Sequence, residues 1–244
     1  MTGAFLNAIG ILLGGLLGLT LRKPLSLRTQ VFFRSVLGLS TVIFGLRLVW
    51  LSVGGTFLVV LKQILIALLA VTLGFWLGKL LRLQHWSNRL GRRAGNVIAA
   101  AQTNAPGKAG DGLTACAVLF CAAPLGWLGA VVDGCSGYFW LLAVKAVMDA
   151  LAMVGFVKIF RWPVALSAFP VWVLLGGIAL ACRFYAAPFL EAHGPEHSLI
   201  NSVNATAGFV ACAVVLVIFE VRRVELANFL PCLALAPLLA WLFR

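Results

Sequence analysis

The chain has 244 residues, of which 62% are hydrophobic and 11% are charged, and its mean hydropathy is +1.05. Water-soluble domains carry about 25% charged residues, so this composition excludes an ordinary soluble domain. The formal net charge of +12 is divided among apolar runs and forms no single basic face, which argues against nucleic acid and favours anionic membrane lipids as partners.

Runs of about 20 apolar residues predict transmembrane helices. The chain contains eight such runs, with seven as the alternative count. The expected fold is all-α, a polytopic transmembrane helical bundle that forms one integral membrane domain over residues 1–244. The eight predicted spans are approximately 4–21, 31–51, 57–78, 113–132, 138–157, 163–183, 200–219 and 226–243.

The first span carries a glycine ladder, Gly10, Gly14 and Gly18. Glycines four residues apart share one helix face and let a second backbone approach closely. The ladder therefore predicts tight helix packing, either within one protomer or across a homo-oligomer.

The longest link between predicted spans covers residues 79–112. Its first part is basic and amphipathic, which predicts a helix lying at the level of the lipid headgroups. Its second part is rich in Ala, Gly, Asn and Pro and is typical of a flexible linker. We expect the whole link to be cytoplasmic.

The fourth span is interrupted near its centre by Pro124, Gly126 and Gly129. Proline removes a backbone donor and disrupts the preceding helical turn. Broken helices often line transport sites, because their freed backbone groups can meet a solute. A packed kink without a site is the alternative.

The fifth span holds two charges, Lys145 and Asp149, four residues apart on one helix face. With a rise of about 1.5 Å per residue, they lie about 10 Å and 16 Å from the membrane surface. Each would cost about 2.5–3.5 kcal/mol at mid-membrane if left unpaired. They are therefore either a neutralised pair that fixes helix packing or a substrate or proton site.

Basic residues occur on alternate loops, which fixes the expected orientation. By the positive-inside rule, the odd-numbered loops are cytoplasmic and both termini face outward. The basic residues of these loops are Arg22, Lys23, Arg28, Lys79, Arg82, Arg89, Arg92, Arg93, Lys108, Lys158, Arg161, Arg222 and Arg223.

Residues 11–22 resemble residues 173–183, because both contain Leu-Leu-Gly-Gly. The two segments would run in opposite directions through the membrane. Spans 1–3 and 6–8 could therefore be inverted repeats around a central hairpin of spans 4 and 5. Chance is at least as good an explanation of so short a match.

Five further polar residues are candidates to join the charged pair. Arg47 lies in the outer half of the second span, where it could also extend outward to the interface. Asp133 closes the fourth span, where we expect water to reach it. Asn7, Asn204 and Asn228 lie at or within span ends, and helix bridging is their default role.

Signatures of catalysis and of cofactors are absent from the sequence. It contains no HExxH, GxSxG, P-loop or GxGxxG pattern, so we expect no enzyme activity and no cofactor. The six cysteines show no CxxC spacing and predict small core residues rather than a metal site.

Five segments together resemble the bacterial membrane proteins called domain of unknown function 554. They are LNAIGILLGGLLGL, SVLGLSTVIFGLRL, VLFCAAPLGWLGAVVDG, LLAVKAVMDALA and VELANFLPCLALAPLL. The family pattern maps onto Cys121, Asp133, Gly134, Lys145, Asp149, Ala227, Asn228, Leu230 and Pro231.

The chain departs from that family pattern at two places. Ala-Ala-Pro follows Cys121 where the family has Val-Gly-Ala, and Ala150 stands where the family usually has Gly. Pro124 could bend the fourth span differently, which puts a site geometry carried over from the family in doubt. The resemblance implies an inner-membrane protein described at most as a transporter, and it supplies no substrate.

The sequence therefore predicts a small transporter whose fourth and fifth spans contact an unknown solute or ion, with Lys145 and Asp149 as its coupling pair. A scaffold or sensor that transports nothing is the alternative. In that case, the glycine ladder and the charged pair would serve assembly.

Overall fold

The computed structural model describes residues 1–21, 26–103, 109–193, 198–221 and 224–243, and these ranges contain helices and no strand. The predicted all-α class is confirmed. The basic residues Arg22, Lys23, Lys108, Arg222 and Arg223, on which part of the predicted orientation rests, lie outside the described ranges.

Eleven α-helices follow one another along the described part of the chain. They are α1 (Thr2–Thr20), α2 (Leu27–Ser52), α3 (Phe57–Leu80), α4 (Leu83–Thr103), α5 (Ala109–Ala122), α6 (Pro124–Ser136), α7 (Trp140–Phe160), α8 (Ala168–Ala181), α9 (Ala187–His193), α10 (Ser198–Ile218) and α11 (Cys232–Leu242). A 3₁₀ segment (Trp162–Ser167) precedes α8, a π-helical turn (Cys182–Ala186) follows it, and a second 3₁₀ segment (Leu226–Phe229) precedes α11.

Six helical segments in the described ranges are long and apolar enough to cross a membrane, and a bent pair makes a seventh. The described ranges thus hold six or seven candidate spans, against the predicted eight and the alternative seven, and an eighth span would require the shorter apolar segment Leu226–Leu242. The last predicted span contains only a short 3₁₀ turn and the 11 residues of α11. At about 1.5 Å per residue, α11 is shorter than the roughly 30 Å hydrocarbon layer.

The bent pair is the predicted fourth span. Gly110–Ala122 and Pro124–Ser136 meet at an angle of 58°. Pro124 is at the start of α6, where its missing N–H is harmless, and Ala123 before it is extended, as a residue preceding proline prefers. Gly126 and Gly129 were predicted as part of the interruption, but both lie inside α6, and the bend itself falls at Ala123.

Helices α1 and α7 pack along one another in the same direction. A Cβ placed on Gly10, Gly14 or Gly18 would fall 2.7, 2.2 or 2.9 Å from the backbone oxygen of Ala146, Ala150 or Val154, respectively. Each step of four along α1 matches a step of four along α7. The glycine face thus packs against a helix of the same chain.

Residues 83–103 of the long link form the continuous helix α4. Its apolar residues Val97, Ile98 and Ala101 pack against a core cluster that includes Phe120 and Phe160. The basic residues Arg89, Arg92 and Arg93 are exposed. Its cytoplasmic placement at the headgroup level stays a prediction, as does the inverted repeat.

Candidate functional site

The Lys145–Asp149 pair lies in the first half of α7 and is buried by the surrounding helices. Lys145 Nζ donates a hydrogen bond to Asp149 Oδ2, and the two groups form a salt bridge. Lys145 is 2% exposed and Asp149 is 7% exposed. Because both charges are withdrawn from solvent, removing either would leave an uncompensated buried charge.

The break between α5 and α6 lies beside the Lys145 ammonium group. Lys145 Nζ is 5.8 Å from the centroid of the Phe120 ring, near the end of α5. A Cβ on Gly126, in the first turn of α6, would lie 2.7 Å from Lys145 Cε. A side chain at this position would therefore require the lysine stem to shift.

At the break, backbone carbonyl and N–H groups are available for hydrogen bonds that an unbroken helix would make internally. The last carbonyls of α5 and the first N–H groups of α6 have no partner within their own helices. One such carbonyl, that of Cys121, accepts a hydrogen bond from Trp127 Nε1 at 2.8 Å. The two half-helix ends carry opposite partial charges next to the buried pair.

Asn7 of α1 approaches the pair from the neighbouring helix. Its side chain is fully buried, at 0% exposure, and interacts electrostatically with the Asp149 carboxylate. Neither Nδ2 nor Oδ1 makes a hydrogen bond of ordinary geometry with the described residues. The Asn7 amide is thus a third polar group at the pair, in contact with the carboxylate but without a well-formed hydrogen bond.

A cavity of about 640 Å³ extends from the break toward the end of the bundle at which α7 finishes. Its deep end is formed by Ala123, Pro124 and Leu125, and Met148 next to Asp149 also lines it. At the far end, Arg34 and Glu220 form a salt bridge of 2.7 Å. Most other lining residues are apolar.

A second cavity of about 510 Å³ lies at the opposite end of α6. Its lining is more polar and includes Ser136, Arg183, Asn201 and Asn204. Asn204 was predicted as a companion of the charged pair, but its Oδ1 accepts a hydrogen bond of 3.2 Å from the Ser136 hydroxyl. It lines this second cavity because α10 packs against the C-terminal half of α6.

Asp133 is also separate from the charged pair. The expectation that water reaches it is wrong, because it is only 3% exposed. It accepts a hydrogen bond of 3.1 Å from the Gly3 N–H and lies 2.9 Å from the Met1 amino group. A carboxylate at this position complements the partial positive charge of the α1 N-terminus, so Asp133 caps that helix.

Two other predicted residues lie far from the break. Asn228 accepts a hydrogen bond of 3.0 Å from the Gln84 N–H, while Gln84 Oε1 accepts one of 3.1 Å from the Ala227 N–H. This reciprocal arrangement joins the start of α4 to the second 3₁₀ segment. Arg47 is exposed on α2, near Tyr138.

Sequence reasoning did not identify Phe120 or Gln84. Phe120 is one of many apolar residues in its span, and only the packing of α5 against α7 brings its ring near Lys145. Gln84 lies in a polar segment where an amide gives no signal. Within the described ranges, no three His, Cys, Asp or Glu side chains are grouped so that they could hold a metal ion.

Comparisons with known proteins agree with a membrane location. The chain is 28% identical over 235 residues to "Uncharacterized protein YqgA" of Escherichia coli (strain K12), covering 96% of this chain and 94% of that relative. It is 20% identical over 244 residues to "Uncharacterized membrane protein YdfK" of Bacillus subtilis (strain 168), covering 100% of this chain and 97% of that one.

No solved structure matches the chain. The family described as "Protein of unknown function (DUF554)" matches residues 2–241, which is nearly the whole sequence. Together with the six long apolar helices, these matches identify a membrane protein. The chain belongs to the DUF554 family.

Proposed function

We propose that this protein transports a small solute or ion across the bacterial inner membrane, with Lys145 and Asp149 as the pair that contacts or couples to it. The observation that carries the proposal is a buried ion pair at a helix break, next to the buried Asn7 amide. Ionisable residues inside membranes are costly and usually mark solute or proton pathways.

The positions of the two cavities support transport. One cavity ends at the break, and the other lies at the opposite end of α6. The charged pair is closed off from both, as expected of an occluded state in alternating access. A change in packing around α6 would then expose the pair to either side.

The packing of α1 on α7 is consistent with the proposed orientation. If both termini face outward, the first and fifth spans cross the membrane in the same direction. Helices α1 and α7 do run in parallel. The membrane side on which each loop lies is part of the proposal.

Flux through reconstituted liposomes tests transport directly. We expect wild-type protein to change the signal of an internal pH-sensitive dye when some members of a panel of small solutes and ions are added. Lys145→Gln/Asp149→Asn, which removes both charges together, should abolish that signal. Equal fluxes through both proteins across the whole panel would contradict the role of the pair.

A scaffold or sensor is the second candidate, and the closed state of the pair favours it. Lys145 and Asp149 neutralise each other, and the glycines of α1 fit closely on α7. This function predicts that neutralising the pair changes oligomeric state or stability while no solute flux exists in wild type. Size-exclusion chromatography with light scattering of wild type and the doubly neutralised variant measures the oligomeric state.

A further inference from the structure

We propose that the solute at this site is a zwitterion with an apolar side chain, such as a neutral α-amino acid. It opens the Lys145–Asp149 pair and bonds its carboxylate to Lys145 and its ammonium group to Asp149. The inference rests on the proposed transport function and names the class of solute.

Charge balance favours a zwitterion over a simple ion. The pair is neutral as a whole, and the other buried charged side chain of the described ranges, Asp133, caps α1. A bare cation or anion entering this site would leave one uncompensated unit charge in a low-dielectric interior. A zwitterion separates the two side chains and supplies each with a new partner of opposite sign, so the net charge stays zero.

The hydrogen-bonding groups at the pair suit both ends of such a solute. Asn7 lies against the Asp149 carboxylate without a hydrogen bond of ordinary geometry, so once the pair opens its amide can serve a carboxylate with Nδ2 and an ammonium group with Oδ1. The break adds carbonyls at the end of α5 and N–H groups at the start of α6. The Phe120 ring offers a cation a further favourable contact.

The cavity at the break suits an apolar side chain. Its volume of about 640 Å³ falls within the 300–1,000 Å³ that is usual for small-molecule sites. Phe33, Leu37, Leu125, Met148 and Leu151 are among its lining residues. The charged and polar lining residues, such as Arg34 and Glu220, lie at the far end of the cavity, away from the break.

Ligand-induced thermal stabilisation tests the inference without requiring transport. The probes are L-leucine, 3-methylbutylamine, which lacks the carboxylate, and 4-methylpentanoate, which lacks the ammonium group. We expect millimolar leucine to raise the melting temperature of the purified protein by about 2–4 °C, and both analogues to leave it unchanged. Alanine, methionine and phenylalanine extend the panel to other side-chain sizes.

Two variants and one control locate the binding. Lys145→Gln/Asp149→Asn should abolish the leucine shift. Asn7→Ala removes the amide beside Asp149 while keeping both charges, so it should weaken leucine binding about tenfold, as expected for the loss of one hydrogen bond to a charged group. Lys62→Gln removes an exposed charge on α3 and should keep the full shift.

The outcomes separate this inference from the proposed function. A shift by either single-charge analogue as large as that of leucine, or no shift by any member of the panel, would overturn the zwitterion. Pair-dependent flux of another solute would then leave transport standing. Conversely, a leucine shift that depends on the pair, without flux of any solute in liposomes, would support the site and refute transport.

Discussion

At the scale of single residues, the proposed site consists of two charges that the protein interior accommodates only as a pair. Lys145 and Asp149 are both almost fully buried, and each is the other's charged partner. Gly126 makes room for the lysine stem, and Asn7 adds an amide without hydrogen bonds. Attraction between the two charges holds the pair together, while the packing of α1 on α7 brings Asn7 to the Asp149 carboxylate.

A double-mutant cycle measures this dependence. Lys145→Met and Asp149→Leu should each lower the free energy of unfolding by about 3–5 kcal/mol, because each leaves the other charge buried without a counter-charge. Lys145→Met/Asp149→Leu should recover most of that loss, since no charge remains to be compensated. Thermal melting of purified protein in detergent gives the comparison. Additive losses in the double variant would mean that the two charges do not depend on each other.

At the scale of elements, close contacts between helices place the charged face of α7. The glycine face of α1 holds Ala146 and Ala150 at backbone distance, and these residues flank Asp149 along the helix. Such contacts gain dispersion energy only when the fit is close, because lipid supplies no hydrophobic force between helices. The rigid α1–α7 unit therefore supports one side of the site, while the broken α5–α6 pair forms the other.

Gly14→Ala tests the close approach of α1 to α7. Its added Cβ would lie 2.2 Å from the Ala150 oxygen, so the two helices must separate. We expect a loss of about 1–3 kcal/mol in stability, as for other overpacked interfaces. Gly177→Ala on α8 is the matched control, because a Cβ there meets nothing within 4 Å. It should stabilise the protein by about 0.5–1 kcal/mol through reduced chain entropy; equal melting of the two variants would refute the packing argument.

At the scale of the whole molecule, the expected orientation separates the two cavities between the two sides of the membrane. The apolar cavity lies at the end where α7 finishes, which is the cytoplasmic end if both termini face outward. The more polar cavity lies at the other end, close to Gly137 and the start of α10. In the proposed transport function, a solute would enter from the outer side through the polar cavity and leave through the apolar one.

Thiol labelling tests this orientation. Gly54→Cys places an exposed thiol between α2 and α3, and Arg92→Cys places one on α4. A membrane-impermeant maleimide should label the first in intact spheroplasts and the second only after permeabilisation. Wild-type protein, whose described cysteines are buried or partly buried, gives the background. The reverse pattern would place both termini in the cytoplasm.

Much of the architecture follows from the sequence, since it depends on local composition. A long apolar run must form a helix in lipid because no other partner is present for its backbone groups, and Pro124 must interrupt such a helix. The pairing of Lys145 with Asp149 follows as well, because residues four apart share a helix face. The number of spans does not follow in the same way, because an apolar run can contain a helix shorter than the membrane, as α11 does.

What the tertiary structure decided is which polar residues meet. Asp133, Asn204 and Asn228 have the same sequence signature as Asn7, a polar residue at or within the end of an apolar run. Nevertheless, they cap α1, line the second cavity and join α4 to the chain's last part, respectively. Only Asn7 reaches the charged pair, and Phe120 joins it without any sequence signal. Local patterns specify a residue's cost of burial, whereas its partner depends on how helices distant in sequence pack, which composition does not encode.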